Sequence, residues 1–318
     1  MYRTSRFPLF ILGLVSAACS PIVIDERELC GAGEVTVFAE HQPWPFALAL
    51  DAAHVYWSDL STNAIMVAPK SGGVPSVFAV NVPAATWIGV DDTAVYFLTH
   101  PEQGGRQIYA ISKAGGSAPK LVVETNFVNH AVLDHERIYW SGNALSFAPK
   151  SGGAKTVLYD AGVNAFALDQ EHAYWLDIHE NALVSAPRLY PTLDEKPSHI
   201  INVDVDALSN TFGLAMDDDW LYYWYDSAIV AVPKSGGTQT PLASETEKVR
   251  NLLVDQGCLF WTTDPDEVNT GKVRAARRGG EVVTLADGLA SGNTFIVEDG
   301  SAFYWVDATE GAIMKLAR

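Results

Sequence analysis

The sequence predicts an all-β fold, a seven-bladed β-propeller with four-stranded blades over residues 35–318, and three observations predict it. Seven segments align without gaps, each with an aspartate followed five residues later by Tyr or Phe. The aspartates are 35 to 48 residues apart, the length of a four-stranded blade. Alternation of apolar and polar residues, rich in aromatic and β-branched side chains, favours strands over helices. The repeated aspartates are Asp51, Asp91, Asp134, Asp169, Asp217, Asp255 and Asp299.

Each unit predicts four strands in order. An inner strand ends at the aspartate, a turn leads to the aromatic strand, and a polar loop leads to the third strand. A Lys-x-Gly-Gly turn, as at residues 70–73 and 150–153, then leads to an outer strand such as 77–79 or 156–158. Glycine pairs suit such turns because they adopt positive φ at no steric cost.

The ends of the chain predict how the ring closes. The last unit, residues 295–318, supplies only three strands, and residues 35–39 match the outer-strand pattern. We therefore expect a closing blade shared between the N- and C-terminal strands, which removes open sheet edges from the closure point.

The recurring residues are predicted to be architectural. An aspartate after a strand commonly accepts hydrogen bonds from its own backbone two residues on. The Tyr-Trp pairs fill the space between blades, since each aromatic side chain buries roughly 150–250 Å². Asp59, Asp177, Asp226 and Asp307 follow the aromatic pairs at similar offsets and are expected to cap loops. Function is therefore sought among residues that break the repeat.

The N-terminus predicts export. Arg3 and Arg6 precede an apolar run over residues 7–15 and small residues at 16–18, the pattern of a secretory signal peptide over residues 1–18. Cys19 after Ala17-Ala18 resembles the lipobox of bacterial lipoproteins, although Ser16 stands where an aliphatic residue is usual. The resemblance implies a lipid on Cys19, a tether over residues 19–34, and a place at the outer membrane or cell surface of a bacterium. The alternative is an ordinary signal peptide cut nearby.

The net charge of −17 limits the classes of partner that the protein can bind. An acidic surface repels nucleic acid and anionic headgroups, so we expect no nucleic acid partner and membrane contact through the N-terminal lipid alone. We expect a monomer.

The repeats carry a family resemblance. Asp51 to Trp57, followed by Ser58-Asp59, resembles the YWTD repeats of low-density-lipoprotein-receptor-type proteins, and the Tyr-Trp and Lys-Ser-Gly-Gly repeats resemble bacterial propeller lipoproteins. The receptor rings have six blades, and residues 140–142 lack the following Asp, so the resemblance implies a fold and no particular ligand.

Residues that break the repeat at the channel mouth are the candidate ligand-binding residues. Loops that enter the inner strands, and loops between the second and third strands, build the face on which propellers usually bind ligands. The candidates are Trp44, Trp87, His130, Asn164, His179 and Arg250, with Arg250 the lone strong cation of the entry set.

Metal and catalytic signals are weak. Residues 264–271, with Asp264, Asp266 and Glu267, loosely resemble a calcium-binding loop, but Pro265 and the spacing depart from the EF-hand pattern. A solvated acidic loop is favoured, so no cofactor is predicted and calcium alone stays open. The chain has no nucleophile elbow, Walker loop or HExxH motif, and no catalytic residue is predicted. His130 and His179, with Glu180, leave an acid/base pair open, against the alternative of hydrogen-bonded surface histidines.

Two further cysteines, Cys30 and Cys258, leave two states open. The chain has no CxxC motif and no Cys/His cluster with the spacing of a zinc site. If the closing blade brings them together they form a disulfide, and otherwise both stay free thiols.

These observations predict binding rather than catalysis. We expect a binding or scaffolding module at the cell envelope whose partner is an envelope protein, a peptide or a glycan. The alternatives are a metal-assisted lyase or lactonase with its site at the channel mouth, and a structural module without a small ligand.

Overall fold

The seven repeat units form seven four-stranded antiparallel sheets, so the predicted all-β, seven-bladed propeller is confirmed. The structure is a computed structural model that describes residues 30, 33–99, 105–115, 118–160, 162–177, 179–188, 196–203, 211–264, 271–289 and 296–318. Within these ranges there is no α-helix. The described residues contain no helix that could span a membrane.

Each blade runs from an inner strand at the channel to an outer strand at the rim. Blade 1 contains β2 (Pro45–Leu50), β3 (His54–Asp59), β4 (Ala64–Pro69) and β5 (Ser76–Val80). Blade 2 contains β6 (Trp87–Val90), β7 (Ala94–Thr99), β8 (Arg106–Ser112) and β9 (Lys120–Thr125). Blade 3 contains β10 (His130–Leu133), β11 (Arg137–Ser141), β12 (Leu145–Pro149) and β13 (Thr156–Tyr159).

The remaining blades follow the same order. Blade 4 contains β14 (Val163–Leu168), β15 (His172–Asp177), β16 (Ala182–Pro187) and β17 (Ser198–Asn202). Blade 5 contains β18 (Thr211–Met216), β19 (Trp220–Tyr225), β20 (Ala228–Pro233) and β21 (Thr240–Ser244). Blade 6 contains β22 (Lys248–Asp255), β23 (Cys258–Asp264), β24 (Gly271–Arg277) and β25 (Val283–Leu289). Blade 7 contains β26 (Ile296–Glu298), β27 (Ala302–Asp307), β28 (Ala312–Ala317) and, as its outer strand, β1 (Val35–Ala39).

Blade 7 closes the ring as predicted. Strand β1 pairs antiparallel with β28, with Val35 opposite Leu316 and Val37 opposite Met314. The pairing extends past the strand, because the Gly33 N–H donates to the Ala317 carbonyl at 2.7 Å. The first and last strands therefore share one sheet.

The ring has two chemically different faces. We call the end where the inner strands begin the entry face, and the end where they reach the repeated aspartates the turn face. The Gly-Gly turns also lie on the turn face, and their glycines have positive φ, for example 96° at Gly72 and 89° at Gly152. The predicted turn chemistry is confirmed there.

The repeated aspartates organise the turn face. Asp51 Oδ1 accepts hydrogen bonds from the N–H groups of Ala53 and His54 at 2.8 and 2.7 Å, and Oδ2 accepts one from the Tyr56 hydroxyl at 2.9 Å. The same backbone bonds form at Asp91, Asp134, Asp169, Asp217 and Asp299. The expected hydrogen bond to the backbone two residues on is confirmed, and the tyrosine bond explains why the Asp-x₄-Tyr spacing recurs.

Neighbouring blades are joined through the same aspartates. The Lys or Arg that opens the last turn of a blade pairs with the repeated aspartate of the preceding blade; we call each pair an inter-blade clasp. In five clasps the nitrogen and oxygen atoms lie 2.6 to 3.1 Å apart, and Arg318 with Asp255 forms a sixth. The five are Lys113–Asp51, Lys150–Asp91, Arg188–Asp134, Lys234–Asp169 and Lys70–Asp299. Between blades 5 and 6, Arg278 instead lies over the Trp220 ring at 3.9 Å.

The aromatic pairs fill the gaps between blades, as expected. Tyr56 and Trp57 point to opposite sides of blade 1, since adjacent strand residues alternate. Tyr56 packs with Phe97 of blade 2, and Trp57 packs with Tyr304 of blade 7. Trp57, Trp140, Trp175, Trp261 and Trp305 are at most 2% exposed. The core is therefore a set of layers between blades, and the channel is left to the inner strands.

Candidate functional site

A cavity of about 630 Å³ lies in the channel, and all seven inner strands contribute to its wall. Its size falls within the range of small-molecule sites. The lining residues are Ala47, Leu48, Trp87, Ile88, Asn129, His130, Asn164, Ala165, Gly213, Leu214, Trp224, Arg250, Asn251, Leu252, Leu253, Ile296 and Val297.

One repeat position supplies much of the chemical variety. Four residues before the repeated aspartate, the first six blades carry Ala, Trp, His, Ala, Gly and Asn, and each of these residues lines the cavity. They are Ala47, Trp87, His130, Ala165, Gly213 and Asn251. The strands around this position are constrained by packing between blades, while the position itself faces the channel. The side chain at this position therefore differs from blade to blade, and at Gly213 the Trp224 ring leaves no room for one.

Of the six predicted binding residues, the structure brings four to this cavity. Trp87, His130, Asn164 and Arg250 belong to blades 2, 3, 4 and 6 and all line it. Trp44 and His179 are not among the lining residues. Trp44 precedes β2 and is 56% exposed. His179 lies in the loop after β15, so the cavity does not join the two histidines of the acid/base alternative.

His130 begins β10, and its ring centroid lies 5.3 Å from that of Phe166 in the next blade. The side chain remains accessible from the cavity. The enclosing blades nevertheless displace much of the water around it, and this loss of hydration lowers the pKa of His130 to about 4. The imidazole is therefore neutral at pH 7 and offers one donor and one acceptor.

Arg250 does not present a free charge. Its Nε and Nη2 groups donate to Asp264 Oδ2 at 2.8 and 2.5 Å. Its carbonyl accepts a hydrogen bond from Trp224 Nε1 at 3.0 Å. The sequence singles out Arg250 as the lone strong cation of the entry set, and the structure places the carboxylate of Asp264 beside it. The pair orients the guanidinium and anchors one side of the cavity.

Two asparagines lie next to each other on the opposite side. Asn129 Nδ2 lies 3.4 Å from Asn164 Oδ1 and 3.5 Å from the Val163 carbonyl, both long for a hydrogen bond. The Ser141 hydroxyl holds the Asn164 backbone by donating to its carbonyl at 3.1 Å. Carboxamides that carry both donors and acceptors therefore face the cavity from blades 3 and 4.

Glycines make room for the two indoles of the wall. A Cβ on Gly89 would lie 2.7 Å from the Trp87 ring, and one on Gly213 would lie 1.9 Å from the Trp224 ring. Both glycines are on inner strands, so the indoles lie directly against the backbone. Sequence reasoning missed Trp224 and Asn251. Asn251 could have been found from its position four residues before Asp255, but no sequence signal places Trp224 at the channel.

Most predicted loop caps are confirmed. Asp59 Oδ1 accepts hydrogen bonds from the N–H groups of Ser61 and Thr62, both at 3.0 Å, and Asp177 and Asp307 bind their own loops in the same way. Asp226 instead adopts a left-handed backbone with φ of 48°. Its carbonyl accepts a hydrogen bond from the Val249 N–H at 2.7 Å.

Some predictions fall on residues that the structure does not describe. These are the signal peptide and the lipidation site Cys19, together with Asp266 and Glu267 of the acidic loop. Among the residues that it does describe, no cluster of three His, Cys, Asp or Glu side chains could hold a metal ion. The described end of the acidic loop, Asp264, is bound to Arg250.

Cys30 and Cys258 form a disulfide, with Cα atoms 5.7 Å apart. Cys258 begins β23 on the turn face, and both cysteines are buried beside blades 6 and 7. Of the two states that the sequence leaves open, the structure contains the bonded one. Cys30 is therefore bonded to the ring at the turn face, opposite the entry face.

The chain matches no protein-family model and no curated protein sequence. It is similar to solved propeller structures. Virginiamycin B lyase from Staphylococcus aureus superposes with a TM-score of 0.65 and 15% identity, over 90% of this chain and 98% of that chain. A catalytically inactive variant of that lyase, solved with quinupristin, has the same TM-score and identity.

Two further structures are similar. A nidogen/laminin complex gives a TM-score of 0.50 and 17% identity, over 71% of this chain and 89% of that chain. BamB from Moraxella catarrhalis gives 0.55 and 11%, over 86% and 83%. At these identities the likeness shows a shared propeller fold.

Proposed function

We propose that the protein is an exported, lipid-anchored, monomeric binding module of the bacterial cell envelope, which takes its ligand or partner at the cavity of the entry face. The observation that carries the proposal is the convergence of Trp87, His130, Asn164 and Arg250 on one cavity of about 630 Å³. These residues differ from the recurring residues of the repeat, whose side chains pack between the blades. Chemically varied side chains collected in one concave site on a rigid scaffold are typical of binding sites.

The attachment of the N-terminus supports the same function. The disulfide holds Cys30 on the turn face, and the proposed lipid on Cys19 lies only a short tether before it. An anchored ring would then turn its entry face away from the membrane, where a partner could reach it.

Similar folds are compatible with binding at this site. One of the similar rings was solved with quinupristin, and another belongs to a nidogen/laminin complex. The likeness does not choose between a small ligand and a protein partner, so the choice rests on the cavity.

Site-specific cross-linking would test the proposal. A photo-reactive amino acid at position 87 on the entry face would be compared with one at Ser151 on the turn face, in living cells of the source. We expect adducts from position 87 and none from Ser151. Adducts confined to Ser151, or none from either position, would contradict binding at the entry face.

The anchor needs a separate measurement. Cys19→Ser should move the protein from the membrane fraction to the soluble fraction. Unchanged fractionation would contradict lipidation but leave the cavity proposal standing, because the two rest on different residues.

A metal-assisted lyase or lactonase is the second candidate, and His130 favours it. A neutral imidazole inside a cavity is the form of histidine that binds a metal ion. A thermal-shift series with calcium, magnesium and EDTA, repeated on His130→Ala, would test this candidate. Stabilisation by one cation that is lost in the variant would favour the enzyme, and no response to any cation would favour the binding module.

A further inference from the structure

The charge of the cavity differs from the charge of the protein. The chain carries a net charge of −17, yet none of the described cavity-lining residues is acidic. The one lining side chain with a fixed charge is Arg250, and Asp264 neutralises it at 2.5 Å. His130 is neutral at pH 7. The cavity therefore carries no net charge. A charged ligand buried in it would lack an opposite charge beside it, and burying an unpaired charge is costly.

An indole offers a flat apolar surface to the ligand. Trp87 is half-buried, and its ring lies against Gly89. The Trp224 ring, 6% exposed, forms part of the wall from blade 5 and is fixed by its hydrogen bond to the Arg250 carbonyl. The face of an indole carries negative π density and favours weakly positive C–H groups. A ligand with one C–H-rich face would pack there.

The hydrogen-bonding groups of the cavity suit hydroxyls. Asn129 and Asn164 each carry a carbonyl oxygen and an NH₂ group, and neutral His130 carries one donor and one acceptor. A hydroxyl also donates and accepts, so it can pair with any of these groups, whereas a carboxylate or an ammonium group can pair with only half of them. The long separation of the two carboxamides, 3.4 Å, leaves both with capacity for stronger bonds.

We propose that the cavity binds an uncharged carbohydrate, with a sugar ring stacked on Trp87 and its hydroxyls bonded to Asn129, Asn164 and His130. This inference rests on the proposed function, because it names the class of ligand for the same cavity. Cationic peptides and anionic glycans are disfavoured, since no described lining residue would offset their charge.

A glycan array that displays neutral and anionic glycans would test the ligand class. The probe is the full mature ring, with its disulfide intact, as wild type and as Trp87→Ala. We expect the wild type to retain neutral glycans, and Trp87→Ala to weaken the strongest of them at least tenfold in a fluorescence titration. Trp220→Ala is the matched control, because it removes the same side chain from the turn face, and it should bind like the wild type.

Three outcomes would overturn the inference. They are retention of anionic glycans only, no retained glycan at all, and equal loss of binding in Trp87→Ala and Trp220→Ala. Circular dichroism and a melting curve of each variant would separate lost binding from lost folding, and Asn164→Ala provides a second variant if Trp87→Ala does not fold. If no glycan is retained while cross-links from position 87 persist, the carbohydrate inference falls and the binding module stands. If the cross-links are also absent, both fall.

Discussion

Lys70 Nζ of blade 1 lies 2.6 Å from Asp299 Oδ2 of blade 7, and these side chains are 14% and 15% exposed. This clasp joins the first complete blade to the last, beside the sheet in which β1 pairs with β28. The ring is therefore closed twice, by a shared sheet and by an ion pair. Because the pair is mostly buried and hydrogen-bonded, we expect it to stabilise the fold by more than an exposed ion pair does, which is about 0–1 kcal/mol.

A double-mutant cycle would measure that clasp. Lys70→Met and Asp299→Asn should each lower the free energy of unfolding by about 1–3 kcal/mol, because each leaves a buried polar group without its charged partner. The double variant should cost less than the sum of the two, with a coupling of about 0.5–3 kcal/mol. Urea unfolding supplies the values. The Lys113–Asp51 clasp, with the same 2.6 Å separation, is the matched comparison, and additive effects at both pairs would contradict the clasp.

Acid should weaken the ring through the same aspartates. Burial raises the pKa of Asp299, but hydrogen bonds from Lys70, the Ser301 side chain and the backbone outweigh it and bring the pKa to about 2. The unfolded value is about 3.9. A lowered folded pKa stabilises the native state above the unfolded pKa, and the contribution is lost as pH falls through the folded pKa.

We therefore expect the free energy of unfolding to fall gently from pH 7 to about 5, because His130 takes up a proton more readily in the unfolded chain than in the ring, and to fall steeply below about 4. Asp51, Asp91 and Asp169 have pKa values lowered in the same direction, so the fall should be steep. Urea midpoints at five values of pH would show it. The free energy of unfolding of Asp299→Asn should fall less with decreasing pH than that of the wild type. An identical decline would contradict a stabilising contribution from the ionised Asp299 carboxylate.

The fold could be predicted because its spacing is repeated seven times. One Asp-x₄-Tyr spacing is weak evidence, but the same hydrogen bond, Tyr56 to Asp51, forms in four blades. The clasps could not be predicted in the same way. Each blade carries both an aspartate and a cation, and the sequence does not say whether they pair within a blade or between blades. Ring geometry decides that question.

The site was predictable only where it follows the repeat. Trp87 and His130 stand at one inner-strand position, so their convergence follows from the seven-fold arrangement. Trp224 belongs to the buried aromatic strand, and it reaches the channel wall because Gly213 lacks a side chain. Trp44 lies just before β2, and a shift of three residues from the channel position places it outside the cavity lining.

The disulfide should stabilise the ring measurably. Cys30 and Cys258 are 228 residues apart in sequence, so their bond restricts most of the unfolded chain. Cys30→Ser with Cys258→Ser should lower the free energy of unfolding by about 2–4 kcal/mol. Urea unfolding of the oxidised protein gives the loss. A reductant should destabilise the wild type to the same extent and leave the double variant unchanged; a further loss in the variant would point to another bond.

Gly213→Ala should push the Trp224 indole out of the channel wall. The added Cβ would lie 1.9 Å from two carbons of the ring, and the neighbouring strands hold the backbone in place. We expect a loss of about 1–3 kcal/mol in unfolding free energy, as for other overpacked sites. Tryptophan fluorescence should also change, because a displaced indole meets more water.

Removing the Trp224 ring distinguishes the clash with that ring from the effect of alanine on the strand. In a Trp224→Ala background the ring is absent, so Gly213→Ala should then cost almost nothing. Gly115 is the matched control, since its φ is 80° and no atom lies within 4 Å of an added Cβ. Gly115→Ala should cost roughly 1–2 kcal/mol from backbone strain alone, and equally in both backgrounds. If Gly213→Ala behaves like Gly115→Ala, contact with Trp224 is not the reason for the glycine, and the channel wall at blade 5 does not depend on the indole.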